Sequence, residues 1–207
     1  MNINISKTKE MLINVDGSSH SSIASLTHNN HCIERVSSFK LLGITLSADL
    51  SWSRHVGEVC AKANKRLHFL KLLKRSKMTT DGLLLYYKAI IRPVIEYACP
   101  VWQSSSTVNE HRQLEAVQKR AIFIISGSDD YEFYCALYDL ELIQTRLDNL
   151  SRKFYYKTLQ PHDCLNKLIP QRETEYITKL RSAKLHGFHC RTSRFLKSFF
   201  PYAIANY

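Results

Sequence analysis

The stretch from Ser51 to Lys77 constrains this chain more than any other, because its apolar and basic residues separate with the period of a helix. Apolar side chains recur at Val56, Val59, Cys60, Ala63, Leu67, Leu70 and Leu73. Steps of three and four residues bring them onto one face of an α-helix, and such a face must be buried. Ser51 or Ser53 offers a side-chain oxygen to the first turn, whose backbone N–H groups have no intrahelical acceptor. The other face carries Arg54, Lys62, Lys65, Arg66, Lys71, Lys74, Arg75 and Lys77 against one acid, Glu58. A surface with that balance is either plainly solvated or meets a polyanion.

The rest of the chain favours the polyanion. A formal charge of +11 and a pI near 9.4 point to nucleic acid ahead of an anionic membrane surface. The 207 residues suffice for one or two small domains, and 44% hydrophobic content with 11% aromatics suits a folded core. Cys32, Cys60, Cys99, Cys135, Cys164 and Cys190 show no CxxC spacing, and Met1 to Lys9 lacks the apolar core of a signal peptide. Reduced thiols in a nuclear or cytoplasmic setting follow. The most apolar run, Gly82 to Trp102, contains Lys88, Arg92 and Glu96 at steps of four, and Pro93 interrupts its hydrogen-bond ladder. We therefore expect a kinked core helix, not a membrane span, and no membrane partner.

Strand-like runs occupy the first fifty residues: Met11 to Val15, His31 to Val36, and Phe39 to Leu46. They suit a small antiparallel β-sheet, with Gly43 marking a bulge or a close backbone approach. From Thr79 onward the patterning is helical. A second helix runs from Thr79 or Thr80 to about Cys99, and a third from Val108 to Ser126, closed by Gly127 in a left-handed cap. A short fourth helix covers Tyr131 to Tyr138. A fifth covers Ile143 to Leu159, with Leu147, Leu150, Phe154 and Tyr155 inward and Pro161 ending it. The expected class is mainly α, a small antiparallel sheet followed by a helical bundle. From Lys179 onward the chain holds Lys179, Arg181, Lys184, Arg191, Arg194 and Lys197 and no acid. Phe188, Phe195, Phe199, Phe200 and Tyr202 interleave with them, a pattern that either stacks on single strands or docks by its rings. Docking is the expectation for Phe195, Phe199 and Phe200.

Several segments in series resemble a known family. Phe39-Lys40-Leu41-Leu42-Gly43-Ile44, then Asp49-Leu50-Ser51-Trp52 and the basic helix, resemble the C-terminal part of reverse transcriptases of non-LTR retrotransposons of the LINE type, jockey-like ones in particular. Tyr86 to Trp102, Leu114 to Ala121, and Arg194 to Pro201 are similar to that family's next hallmarks, and Asn4 to Lys9 to its motif after the catalytic strand pair. The resemblance implies a palm-edge remnant over residues 1–50, a thumb-like helical bundle over 51–128, and a C-terminal helical extension with a basic tail over 129–207. It implies that Phe39, Lys40 and Gly43 lie in a primer-grip-like hairpin, and that Lys7 matches the lysine on the pyrophosphate side of a complete enzyme. RNA template and DNA primer are the implied partners, held by Lys62, Lys65, Arg66, Lys71, Lys74 and Arg75, together with an upstream polymerase half.

Polymerase chemistry needs paired carboxylates that hold two divalent metals. The family takes them from an aromatic-x-Asp-Asp hairpin and an earlier aspartate, and neither pattern occurs in this sequence. The one Asp-Asp pair, Asp129-Asp130, follows Gly127-Ser128 between two helices and reads as an N-cap. We thus expect no catalytic residues, no metal site and no cofactor in this chain, with Mg²⁺ belonging to a complete polymerase. Cys164, His186, His189 and Cys190 lack the spacing of a zinc finger or knuckle. The basic stretch also resembles the N-terminal region of AlkB-type oxygenases, but no His-x-Asp for their iron triad is present. The function expected is a truncated RNA-directed DNA polymerase fragment that binds template–primer and does not polymerise alone. A helical protein–protein scaffold, or the translation of a decayed element, are the alternatives.

Overall fold

The computed structural model describes residues 4–13, 23–170 and 190–207. Helices make up most of it, and strands occur within the first fifty residues. The chain divides into two compact units, residues 1–58 and 59–207.

In the first unit a 3₁₀ turn at Ile5–Lys7 leads into β1 (Lys9–Glu10), followed by β2 (Thr27–His28), β3 (His31–Cys32), β4 (Glu34–Arg35), β5 (Ser38–Leu41) and β6 (Ile44–Ser47). They pair two by two: β2 with β3 and β5 with β6 antiparallel, β1 with β4 parallel. The expected single sheet is three separate ladders. Asn29 and Asn30, at φ 51° and 62°, close the β2–β3 turn, a conformation their short polar side chains tolerate. The strand expected at Met11 begins instead at Lys9 and stops at Glu10, and Met11 to Ile13 are outside any ladder. Val15 and the Asp16-Gly17 turn lie outside the described residues. Glu10 is buried and holds this corner together. Its carboxylate accepts the Leu26 N–H at 2.9 Å and the Arg35 guanidinium at 2.7 Å. The Leu26 bond leads in holding the carboxyl below its usual pKa, with Arg35 adding to it.

The run Phe39 to Leu46 folds back on itself. Leu42 at φ 48° and Gly43 at φ 85° form a two-residue turn of the primed type, so the glycine is a turn residue and not a bulge. The β5–β6 pairing puts Lys40 opposite Thr45 and Phe39 opposite Leu46. Thr45 and Ser47 are the buried positions, while Phe39, Leu41 and Leu42 are exposed. This hairpin therefore packs its polar face inward, the reverse of the usual alternation.

Helix α1 runs from Ser53 to Arg75, opened by the Val56 N–H bond to the Trp52 carbonyl. As the spacing requires, Val56, Val59, Ala63, Leu67 and Leu70 are buried, with Cys60 and Leu73 at the stripe's margin. In the second unit α2 (Thr80–Tyr86), capped by the Thr79 hydroxyl, passes into a π-helical turn at Tyr87–Ile91 and then α3 (Arg92–Glu96). Ala98, at φ 49°, separates these from α4 (Cys99–Trp102). The one kinked helix expected here is three pieces. Pro93 has no N–H to give, and the wider turn before it admits the ring.

Among the described residues the remaining helices are α5 (Val108–Ser126), α6 (Tyr131–Leu137), α7 (Ile143–Thr158), α8 (Ser193–Leu196) and α9 (Phe199–Asn206), with 3₁₀ turns at Gln103–Ser105 and Asn166–Leu168. Helix α5 begins in a full capping box between Thr107 and Glu110 and ends at Gly127, at φ 81°, as its sequence requires. Asp130 caps α6 by accepting the Phe133 N–H at 3.1 Å. Helix α5 packs on α6 and α7, and no unit boundary falls at residue 128. Leu83, Tyr87, Ile91, Ile95, Trp102, Leu114, Ile125 and Leu147 form the core. Phe154 departs from expectation. It sits at the surface with its ring 5.4 Å from that of Phe199, because Tyr155 takes the inward position. Phe199 and Phe200 dock on the cluster of Tyr155, Ile169 and Ala203, but Phe195 is exposed. Lys179, Arg181, Lys184 and Phe188 lie outside the described residues.

A polar chain runs through this apolar core. Gln118 is wholly buried; its amide oxygen accepts the Tyr87 hydroxyl, and its amide nitrogen donates to Tyr131 Oη at 2.8 Å and the Glu141 carbonyl at 2.9 Å. Tyr131 in turn donates to Glu115, whose other oxygen accepts the Ile143 N–H at 2.9 Å. Glu115 thereby caps the start of α7, where the N-cap position, Leu142, has no side-chain acceptor. Burial first, then the Glu115 carboxylate, pushes the Tyr131 hydroxyl far above its ordinary pKa, so it acts as a donor throughout.

Candidate nucleic-acid interface

The surface to be tested is the outward side of α1. At 3.6 residues per turn, Lys65 projects opposite the buried stripe, Lys62 to one side of it, and Lys71 and Arg75 to the other; all four are exposed. Arg54 lies in line with Lys65 but pairs with Glu58 at 3.5 Å, and Lys77 falls beyond the helix at φ 61°.

Arg66 and Lys74 are placed differently. Arg66 rises at the edge of the buried stripe and Lys74 continues its line beyond Leu70, and each donates to a backbone carbonyl inside its unit. Arg66 Nη1 bonds the Ile90 carbonyl in the π turn. Lys74 Nζ bonds the Ile125 carbonyl at 2.6 Å, in the last turn of α5, where carbonyls lack intrahelical donors and the helix dipole favours a cation. The eight cations are thus not one ridge. Four are presented outward, two fasten α1 to its neighbours, one is paired, and one has left the helix.

Exposed rings and aliphatics sit among the outward cations. Phe69 and Leu72 lie on the same side of α1 as Lys65, and Phe69 meets the His68 ring edge-on at 5.9 Å. Periodicity alone could have found them, because Phe69 and Leu72 fall off the core stripe.

The hairpin residues do not converge. Phe39 and Lys40 are neighbours in β5 and point to opposite faces, Phe39 with Leu41 outward and Lys40 with Thr45. Within the first unit, His55 Nδ1 accepts the Thr45 N–H at 3.3 Å, and Glu58 accepts the Thr45 hydroxyl at 2.8 Å. Burial lowers the His55 pKa below its ordinary value, Glu58 opposes that, and Lys40 adds to it. The imidazole is therefore a neutral acceptor that anchors the hairpin to the first turn of α1. Lys7 is exposed in its 3₁₀ turn.

A second cluster was partly legible. Lys88, Arg92 and Glu96 share a stripe as their spacing requires, and Glu96 takes Arg92 at 3.1 Å and Arg146 at 2.8 Å. With Asp139 and Glu141, the cations Lys88, Arg92 and Arg146 line a polar recess of about 240 Å³, and with Glu96 counted the charges balance. Among the described residues no group of His, Cys, Asp and Glu is placed to hold a metal ion, and His186 and His189 fall outside them. The six cysteines are free thiols. Among the described residues no helix is long and apolar enough to cross a membrane. Comparison of the chain with protein-family models, curated proteins and solved structures found no match.

Proposed function

We propose that this chain binds nucleic acid along α1, as the thumb-side fragment of a reverse transcriptase of the non-LTR retrotransposon type, with template–primer as its ligand. The observation that carries the reading is the outward set Lys62, Lys65, Lys71 and Arg75 on a helix whose far side is fully buried. Such a rod presents charge at fixed spacing, and contacts of this kind neutralise phosphates without reading bases. Phe69 and Leu72 give the same surface an apolar component that suits sugar edges or an unpaired base. The β5–β6 hairpin is a separate candidate surface, with Phe39 and the Leu42–Gly43 turn outward. The chain carries no aromatic-x-Asp-Asp sequence, so binding without nucleotide addition is the activity expected of it.

The test is equilibrium binding of a fluorescein-labelled primed RNA template by the full chain, across a salt series. Saturable binding that weakens steeply with salt, and that fails when Lys62, Lys65, Lys71 and Arg75 are all changed to Gln, supports the reading. Binding that ignores salt, or that survives the fourfold change, overturns it.

A further inference from the structure

The segment α2–α3 carries a second, exposed apolar side in addition to its core face. Leu83, Tyr87, Ile91 and Ile95 face the core, yet Leu85 is 67% exposed and Ile90 40% exposed, with Ala89 and Pro93 also outward. An apolar face of a helix is normally covered. In an unbroken α-helix, side chains four residues apart drift by about 40° per step, so Leu85, Ala89 and Pro93 would spiral away from one another. The π turn at Tyr87–Ile91 takes up that drift. It puts Ile91, not Ile90, in the core and leaves Leu85, Ala89 and Pro93 as one uncharged outward row, with Ile90 exposed beside it. A row at steps of four is the register in which a second helix packs.

The flanks of this row indicate what covers it. On the α1 side the nearest cation is Arg66, whose guanidinium bonds the Ile90 carbonyl. A neutral carbonyl satisfies a donor without cancelling the charge, and Lys62 and Lys65 lie within a turn of it on the same helix. On the other flank Lys88, Arg92 and Arg146 are balanced by Asp139 and Glu141 in the polar recess and by Glu96, which pairs with both arginines. One edge of the row is therefore cationic and the other neutral. A second copy of a chain with a net charge of +11 would bring like charge against that edge.

We infer that the row Leu85, Ala89 and Pro93, with Ile90 beside it, seats the apolar face of a helix from a partner protein, with acidic residues on the edge that meets Arg66. Its apolar residues are not among the outward cations of the nucleic-acid reading, although Lys62 and Lys65 lie within about a turn of Arg66 at its edge, and seating the partner helix does not require nucleic-acid binding.

Two labelled helical peptides of about 18 residues, roughly five turns, test the inference with the full chain. They share one leucine stripe at steps of three and four and carry either Glu or Lys at the remaining positions. The acidic peptide is expected to bind saturably and at least about tenfold more tightly than the basic one, and Leu85→Glu to weaken it by about tenfold or more. Leu85→Met should leave it unchanged, and Ala89→Glu repeats the test should Leu85→Glu fail to fold by circular dichroism. No saturable binding, equal binding of both peptides, or indifference to both Glu variants overturns the inference. So does a concentration-dependent dimer that Leu85→Glu abolishes, which would make a second copy the occupant. Loss of primed-template binding in Leu85→Glu to the extent seen for Lys65→Gln also overturns it, assigning the row to the nucleic acid.

Discussion

Lysines and arginines that look alike in the sequence should separate into two kinds when the salt dependence of template binding is measured. Each phosphate neutralised on a duplex contributes a slope of about −0.9 in log K against log salt, so four outward cations give about −3.6 and six about −5.4. Between 50 and 200 mM salt the first is a roughly 150-fold loss of affinity and the second roughly 2,000-fold. The structure predicts the smaller value, with Lys62, Lys65, Lys71 and Arg75 engaged. Changing any one of these to Gln should lower the slope by about 0.9 and leave thermal stability untouched. Arg66→Met and Lys74→Met should do the reverse. Each removes the donor to a carbonyl, Ile90 or Ile125, that water can reach, at a cost of about 0.5–1 kcal/mol seen as a lower urea midpoint, with the slope nearly unchanged. Fluorescence anisotropy at five or so salt concentrations, paired with urea unfolding of each variant, reads both quantities. A slope that falls as far for Lys74→Met as for Lys65→Gln refutes the division between outward and fastening cations.

Other outcomes follow from the interior. Gln118→Leu leaves the Tyr87 and Tyr131 hydroxyls and the Glu141 carbonyl without their buried partner, and should cost about 2–4 kcal/mol in urea unfolding; a loss under about 0.5 kcal/mol would show that the chain of bonds is replaceable. Gly127→Ala forces a Cβ into φ 81°, in open space, so the cost is backbone strain of about 1–2 kcal/mol and no clash. Thr107→Ala removes half of the α5 capping box and should cost about 1 kcal/mol by thermal melting. His55 has its folded pKa below 6.5 through burial, so on acidification the unfolded chain takes up a proton before the folded one does. Its contribution is complete above pH 6.5 and is lost as pH falls toward the depressed folded value; a stability profile that is no flatter in His55→Gln would contradict this.

What could be read directly from the residues is whatever depends on partners within one turn. The buried stripe of α1, the left-handed stop at Gly127 and the cap at Asp130 are all local bonds or local periodicity, and each occurs where the residues place it. The mainly α class with short N-terminal strands follows from the same signals. Contacts between residues far apart in the chain decided the rest. Lys74 and Lys71 are equivalent by composition, and only the approach of α5, fifty-one residues later, makes one a fastening and leaves the other outward. Gln118 reads as a polar residue on an amphipathic helix until Tyr87 and Tyr131 close around it. Ile90 and Ile91 are interchangeable by pattern, and a π turn forced beside Pro93 chooses which is buried. The β5–β6 hairpin turns its polar face inward because His55 and Glu58 wait there for Thr45, a preference no alternation within the strand can announce. Periodicity records that a face will be buried; the identity of what arrives to bury it is written elsewhere in the chain, at separations where a sequence pattern has no period to show.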